Sequence, residues 1–115
     1  MKNINRYCLS EKSTANKAIE AMISSKDNQR LVFIVNKDLK ILGTLSEGDI
    51  VRSLLINRNI DNIQVTSIMN KSFKFLLKKD LKEAKKLIIK FNITLIPVVT
   101  KNMKITSIIK LRDVI

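Results

Sequence analysis

Two short tracts of this 115-residue chain place a carboxylate three positions after a polar residue, Ser46-x-x-Asp49 and Lys110-x-x-Asp113. An apolar stripe with helical spacing follows Ser46, so the first tract is suited to cap a helix. A helix N-terminus that carries a hydroxyl group also suits phosphate, and a carboxylate one turn later can accept hydrogen bonds from ribose hydroxyls. The first tract therefore has two interpretations, a helix cap and a nucleotide site.

The second tract favours the nucleotide interpretation. A lysine side chain has no hydrogen-bond acceptor, so Lys110 is a poor helix cap and we expect that capping does not explain this tract. A cation at a phosphate site remains sensible, and Asp113 lies where the ribose contact would fall. This copy departs from the first at Ser107, which stands at the position of Gly43 and carries a side chain where glycine has none.

The two tracts belong to a longer internal repeat. Residues 33–50 align with residues 97–114 without a gap at an offset of 64. The identical positions are Val35/Val99, Lys37/Lys101, Lys40/Lys104, Ile41/Ile105 and Asp49/Asp113. An internal repeat indicates one supersecondary unit used twice, with each copy burying a face against the other. We therefore expect the function to lie where the copies meet.

Hydrophobic periodicity predicts an α/β (α+β) chain in which each copy runs strand, helix, strand, strand, helix. The repeats are predicted to span residues 1–60 and 61–115. In the first copy we predict a helix over 13–25, strands over 31–35 and 41–45, and a helix from Ser46. In the second copy we predict a strand over 73–77, a helix over 80–91, strands over 95–99 and 104–108, and a helix from Lys110.

Composition excludes several classes of protein. The chain has no histidine and one cysteine, so a zinc site, a Cys-His catalytic pair and an intramolecular disulfide are excluded, and Cys8 is predicted to be a buried strand thiol. No apolar run approaches the roughly 20 residues that span a bilayer, and the start lacks the apolar core of a signal peptide. We expect a cytoplasmic, non-catalytic module with no resident cofactor, no metal and no membrane partner.

The formal net charge of +12 suggests nucleic acid at first sight. Yet 17 of the 22 cations are lysines, and abundant Lys, Ile and Asn are typical of codon drift in an AT-rich genome. Only one true lysine cluster stands out, at residues 78–90, and only one Tyr and four Phe could serve as stacking platforms for bases. Nucleic-acid binding is therefore an alternative and not the first hypothesis.

The residues resemble one known family. The tract Gly43-Thr-Leu-Ser-Glu-Gly-Asp-Ile50, with the apolar Phe33-Ile-Val35 ahead of it, is similar to the signature of the cystathionine-β-synthase (CBS) domain. Val65-Thr-Ser-Ile-Met69 resembles the lead into a second such domain, and Ile96-Pro-Val-Val99 resembles its apolar strand. The resemblance covers essentially the whole chain. It implies a tandem CBS pair, or Bateman module, with two β-α-β-β-α repeats packed about a pseudo-twofold axis.

The resemblance also implies a ligand. Members of this family bind adenosine compounds such as AMP, ADP, ATP or S-adenosylmethionine between the two halves. Carried over to the first copy, the base would lie against Leu31 and Val32, Thr44 would mark the strand end, Ser46 and Arg52 would contact phosphate, and Asp49 would contact ribose. The counterparts in the second copy would be Ile96, Pro97, Lys110 and Asp113. The family also implies that the ligand approaches closely at the glycine position of the motif, Gly43 in the first copy and Ser107 in the second. Simple core packing remains the alternative for Leu31, Val32 and Ile96, and a solvated helix face is the alternative for Arg52.

A further resemblance concerns what the module would regulate. The tracts around residues 43–55 and 65–76 are similar to the CBS pair ahead of bacterial sugar-phosphate nucleotidyltransferases. We therefore expect an attached catalytic domain of that kind, and we expect the last helix of the second repeat to be truncated after Ile115. A homodimer is also expected, through an apolar helical face of Ile19, Met22, Ile50 and Leu54. A ligand-free pair that serves only dimerisation or spacing is the remaining alternative.

Overall fold

A computed structural model describes residues 5–24, 30–56 and 59–115. The chain divides into two compact units, Lys2–Phe73 and Lys74–Ile115. The predicted repeats, residues 1–60 and 61–115, are defined by the sequence and not by these compact units, so their limits stay a prediction. The mixed α/β fold class and the presence of two repeats are confirmed.

The first unit is built on a three-stranded sheet. Its strands are β1 (Cys8–Ser10), β2 (Leu31–Val35) and β3 (Ile41–Ser46), and its helices are α1 (Ala15–Ile23), α2 (Glu47–Leu54) and the short α3 (Val65–Ile68). The sheet order is β1-β2-β3, with β1 parallel to β2 and β2 antiparallel to β3. The predicted strands over 31–35 and 41–45 are confirmed. The predicted helix over 13–25 spans residues 15–23, and residue 25 lies outside the described residues.

Both main helices bury one stripe against this sheet. Ala15, Ala18 and Met22 recur at a spacing of three and four residues, so they lie on one face of α1 and join Ile50 of α2 in the core. This overturns part of the predicted dimer face. Met22 and Ile50 are buried, and Ile19 and Leu54 are half-buried against the same core, because the apolar stripes pack on the chain's own sheet.

The second unit has fewer elements. They are α4 (Leu81–Phe91), β4 (Leu95–Val99), antiparallel β5 (Ile105–Lys110) and a 3-10 turn over Leu111–Asp113. The predicted strand over 73–77 is wrong. Of those residues only Leu76 pairs with a strand, in a single parallel bridge to Val98. The helix predicted from Lys110 is a 3-10 turn of three residues.

Local signals define both ends of α4. The Asp80 side chain accepts a hydrogen bond from the Glu83 N–H at 3.1 Å, which makes Asp80 the N-cap. At the other end Asn92 adopts φ 53°, a left-handed conformation that asparagine tolerates, and its N–H donates to the Ile88 carbonyl. Ala84 and Ile88 face inward, where they meet strand residues in the core of the second unit.

The repeat in the sequence is also a repeat of geometry. The spans of β4 and β5 equal those of β2 and β3 shifted by the offset of 64, and a register irregularity follows the fourth residue of β2 and of β4 alike. The turns between the strands match too. Leu39 and Met103 have φ of 63° and 66°, and the side chains of Asn36 and Thr100 each accept two turn N–H groups. The two strands of each antiparallel pair are therefore joined by the same kind of turn at equivalent positions.

A segment that follows α2 closes the first unit. The Ala15 N–H donates to the Ile63 carbonyl at 2.8 Å, and the Val65 N–H donates to the Ser13 carbonyl at 3.0 Å. Farther on, the chain crosses β3 at Gly43. A Cβ atom there would lie 2.7 Å from the Met69 Sδ and 2.9 Å from the Asn70 carbonyl oxygen. Gly43 is therefore required by this close approach of the chain itself.

Gly43→Ala should destabilise the chain, because its new methyl group must displace Met69 and the backbone of Asn70. We expect a loss of about 1 to 3 kcal/mol in the free energy of unfolding, measured by denaturant titration. Gly48→Ala in α2 is the matched control. Its Cβ would lie 3.4 Å from the mobile end of Arg52, so that variant should be unchanged or up to about 1 kcal/mol more stable. Equal losses in the two variants would contradict the packing assigned to Gly43.

Cys8 should behave as an inert thiol. It lies half-buried in β1, and burial raises its pKa from 9.0 to about 11. At pH 7.5 its thiolate fraction should be about a hundredfold smaller than that of an exposed cysteine peptide, and alkylation by iodoacetamide should slow accordingly. Since the unfolded chain loses this proton at the lower pH, the contribution of Cys8 to stability should decline between pH 9 and 11. An alkylation rate that levels off near pH 9 would show that the thiol is not shielded.

Candidate functional site

The candidate site of the first repeat lies where β3 ends and α2 begins. Ser46 adopts an extended conformation as the N-cap of α2, and its Oγ accepts the Asp49 N–H at 3.1 Å. The Asp49 Oδ2 accepts the Ser46 N–H at 2.9 Å, which completes a reciprocal capping box. The Glu47 N–H donates to the Arg30 carbonyl at 3.0 Å. The predicted helix cap is therefore confirmed, and the Gly48 N–H is the first-turn amide that takes part in none of these bonds.

Asp49 has a second partner. Its Oδ1 accepts a hydrogen bond from the Arg52 guanidinium one turn later, and the two groups form an ion pair. The Asp49 side chain is only 17% exposed, whereas the Arg52 side chain is 70% exposed. The carboxylate is thus held in place, and the guanidinium presents most of its surface to solvent.

Arg52 also folds back over the start of α2. A Cβ atom at Gly48 would lie 3.4 Å from one guanidinium nitrogen of Arg52 and 3.7 Å from the Ser46 Oγ. The glycine therefore leaves room for a cation beside the positive end of the helix dipole, which is an unfavourable place for a cation unless an anion is present. Asp49 supplies part of that negative charge. A bound anion would supply more.

The strand residues of the predicted site have different environments. Leu31 is half-buried and lies opposite Ser46 in the antiparallel register, so the two positions are adjacent. Val32 is fully buried in the core, in line with the core alternative. Thr44 is nearly buried, and its backbone forms a two-bond bridge with Asn70, at 3.0 and 2.7 Å.

In the second repeat the corresponding tract is only half of a capping box. The Asp113 Oδ2 accepts the Lys110 N–H at 2.8 Å, as Asp49 does with Ser46. The reverse bond is chemically excluded, because an ammonium group has no lone pair. The expectation that capping does not explain this tract is therefore wrong for Asp113, whose carboxylate caps the backbone amide.

In the second repeat, the residues predicted to contact the base are not the geometric counterparts of Leu31. Ile96 and Pro97 are fully buried in β4, opposite Ile109 and Ile108. The register places Leu95 opposite Lys110, which makes Leu95 the geometric counterpart of Leu31. The sequence repeat already indicates this correspondence, because the offset of 64 aligns residue 31 with residue 95.

Sequence reasoning missed two contributions to the first-repeat site. It assigned the open space at Gly43 to a ligand, whereas Met69 and Asn70 fill that space. It also overlooked Gly48, whose missing side chain lets Arg52 approach the helix end. The motif Val65–Met69 was visible in the sequence, but its contact with Gly43 is made between residues 26 positions apart.

The described residues contain no cluster of three or more His, Cys, Asp or Glu side chains arranged to hold a metal ion. Likewise, none of their helices is long and apolar enough to cross a membrane. The chemistry available at the α2 terminus is recognition of an anion and of hydroxyl groups. It comprises a helix end, a hydroxyl, a guanidinium and a fixed carboxylate.

Comparison with solved structures relates the fold to known proteins. AcuB, a protein assigned to acetoin utilization in Vibrio cholerae, is 25% identical with a TM-score of 0.81, over 93% of this chain and 78% of that one. The CBS domain protein PAE2072 from Pyrobaculum aerophilum, complexed with AMP, is 22% identical with a TM-score of 0.73, over 92% and 80%. The CBS domains of a transcriptional regulator from Streptococcus pneumoniae are 17% identical with a TM-score of 0.76, over 96% and 87%.

Comparison with proteins of curated function produced no match. The model of the CBS domain family, in contrast, matches the chain twice, over residues 2–56 and 65–115. The two matched segments contain the two antiparallel strand pairs and the two tracts that end in Asp49 and Asp113. The chain therefore belongs to the CBS domain family, of which it carries a tandem pair.

Proposed function

We propose that this CBS pair is a regulatory module that binds an adenine nucleotide at the start of α2. The observation that carries the proposal is the position of Arg52, whose exposed guanidinium lies over Gly48 beside the helix N-terminus. Helix amides and a guanidinium both favour negative charge, so the two together suit a phosphate group. The complex of PAE2072 with AMP supports the choice of ligand class.

Ribose recognition would fall to Asp49. Its two oxygens already accept from the Ser46 N–H and from Arg52, but each carboxylate oxygen can accept more than one hydrogen bond. A ribose hydroxyl can therefore bind without breaking the helix cap. The ion pair with Arg52 is the interaction that a ligand would share or replace.

The base would contact the start of β2. Leu31 keeps part of its side chain accessible beside Ser46, whereas Val32 is fully buried and can contribute only through its backbone. Thr44 would act by fixing the end of β3 through its bridge to Asn70. Leu31 is thus the residue of this group with apolar surface to offer a ligand.

The second repeat would form the weaker site. Its 3-10 turn of three residues aligns fewer peptide dipoles than the eight-residue α2, and Lys110 replaces the serine hydroxyl. Ile96 and Pro97 are buried and Leu95 is only 8% exposed, so apolar contact with a base would need a rearrangement of β4. Lys110 remains a phosphate contact and Asp113 a ribose contact in this proposal.

Regulation completes the proposal. Nucleotide binding would shift the equilibrium of an attached domain, for which a sugar-phosphate nucleotidyltransferase of the cytoplasm is the best candidate from the sequence. The energy available equals the difference in ligand affinity between the two states, typically about 1 to 3 kcal/mol. One observation supports the ligand-free alternative, a pair that only spaces or dimerises: both carboxylates already accept hydrogen bonds from backbone amides.

Titration calorimetry with AMP and with adenosine can separate the roles of the charged residues. Asp49→Asn should weaken both ligands at least tenfold, because it loses a charged acceptor for ribose, and should cost about 1 kcal/mol of stability. Arg52→Ala should weaken AMP about tenfold and leave adenosine unchanged or tighter, since it removes a phosphate contact and frees Asp49. Asp113→Asn should alter only a second, weaker binding step.

Lys17→Ala is the matched control for Arg52→Ala, because the Lys17 side chain is 67% exposed, close to the 70% of Arg52, and pairs with Glu20 at the same spacing on α1. It should leave the affinity for both ligands unchanged. If the unmodified chain binds neither AMP nor ATP, the ligand-free alternative is correct. If it binds AMP and Asp49→Asn has no effect, the site lies elsewhere.

Homodimer formation is proposed through a different set of residues from those predicted. Beyond the buried stripe, the first unit exposes the apolar side chains of Ile23, Val51, Leu55 and Ile56. The double variant Val51→Glu/Leu55→Glu should shift a dimer to a monomer in light scattering, with little change in unfolding free energy because both side chains are exposed. Ile115→Glu, at another exposed apolar position, is the control. A monomer at high concentration in the unmodified chain would contradict the proposal.

A further inference from the structure

The positive charge of this chain is concentrated in its second unit. Residues 74–115 carry eleven Lys or Arg and three Asp or Glu, a net charge of +8, whereas residues 2–73 carry eleven and seven, a net charge of +4. Both units come from one gene, so codon drift would act on both alike. The asymmetry therefore needs another cause.

Helix α4 carries four of the eleven cations of the second unit. Lys82, Lys85, Lys86 and Lys90 are all exposed, and helical geometry places them within an arc of about 140° opposite the buried Ala84 and Ile88. Lys78 and Lys79 extend the cluster just before the helix. We call the exposed side of α4 formed by residues 82, 85, 86, 89 and 90 the lysine face. The equivalent helix α1 has no such face, because its Lys17 pairs with Glu20.

The lysine face weakens the isolated helix. Lys82–Lys86 and Lys86–Lys90 are like-charge pairs at a spacing of four, and each such pair costs about 0.2 to 0.5 kcal/mol. Within the described residues, the ion pair at this face joins Lys86 to Glu83 at 4.0 Å, and both side chains are largely exposed. Intramolecular pairing therefore neutralises little of the charge.

Apolar side chains lie among the lysines. Ile89 is 66% exposed near the centre of the lysine face, and Leu77 and Leu81 expose large parts of their side chains at its N-terminal end. Lysine stems can lie along apolar surface while their ammonium groups stay in water. A basic helix face with interspersed apolar residues is the pattern of a helix that lies on a lipid surface.

Nucleic acid fits this face less well. All cations of residues 74–90 are lysines, without the arginines that recognise phosphates and bases with two hydrogen bonds. A hydrated phosphate backbone would also leave Ile89 and Leu77 without apolar partners, whereas a lipid interface buries them. Charge and apolar exposure together favour the membrane.

We propose that the lysine face of α4 docks on an anionic phospholipid surface. This proposal departs from the expectation of no membrane partner, because a peripheral contact needs no membrane-spanning segment. Each lysine near an anionic leaflet contributes about 1 kcal/mol at physiological ionic strength, so the lysine face and its neighbours suffice for reversible binding. Salt should weaken it, because the attraction acts within one Debye length.

Vesicle co-sedimentation of the full chain tests the proposal, with phosphatidylglycerol-containing vesicles compared with pure phosphatidylcholine vesicles. The double variant Lys82→Gln/Lys86→Gln should lower the partition coefficient on the anionic vesicles about thirtyfold. Lys101→Gln/Lys104→Gln is the matched control, since it removes two exposed lysines from the β4–β5 turn of the same unit. That control should lose less than threefold. Ile89→Ser should weaken binding at both low and high salt.

Three outcomes would overturn the proposal. Equal losses of vesicle binding in the two double lysine variants would show that the net charge of the chain, and not the lysine face, attracts it to the vesicles. Absence of binding to anionic vesicles at low salt would show that an anionic phospholipid surface is not the partner. Tighter binding of a duplex oligonucleotide, with the same loss in Lys82→Gln/Lys86→Gln, would assign the face to nucleic acid. AMP affinity at the Asp49 site should be unchanged in the variants, so this test is separate from that of the proposed function.

Discussion

The antiparallel strand pair is the interaction on which each repeat depends. β2 with β3, and β4 with β5, bring a buried apolar strand beside one that leads into a turn or helix. Because register fixes which residues face each other, it places Leu31 beside Ser46 and Leu95 beside Lys110. The polar tract at the strand end thus has a fixed position relative to an apolar side chain in both repeats. Recognition of a ligand with a base and a phosphate needs that juxtaposition.

In the proposed site, ligand binding would use the same atoms that cap the helix. In both repeats an aspartate closes the strand end by accepting the backbone amide three residues earlier, at 2.9 and 2.8 Å. A carboxylate that the fold already requires is pre-organised for a ligand hydroxyl, because its rotamer does not have to be fixed again on binding. The repeats differ in what surrounds it. Only the first adds a serine hydroxyl, an eight-residue helix and an arginine folded over a glycine.

Features that depend on nearby residues were predictable from the sequence. The strands over 31–35 and 95–99 are continuous apolar runs between polar segments, and the Ser46 cap lies within four residues of its partner. Features that depend on distant residues were not. The predicted strand over 73–77 is reduced to one bridge at Leu76, since strand pairing is decided by the partner edge and not by local propensity. For the same reason the contact of Met69 with Gly43 could not be read from either tract.

Two residues of the predicted dimer face, Met22 and Ile50, are buried for a related reason. An apolar stripe shows that a helix buries one side, but the pattern is the same whether the covering surface is the chain's own sheet or another molecule. Met22 and Ile50 face the sheet, so outward contacts must come from residues that break the stripe, such as Val51 and Ile89. In the first unit the outward apolar residues stand among few charges, and in the second they lie among lysines that would repel a second copy of the same face. The two repeats thus share a fold and a capping carboxylate while their outward helix faces suit different partners.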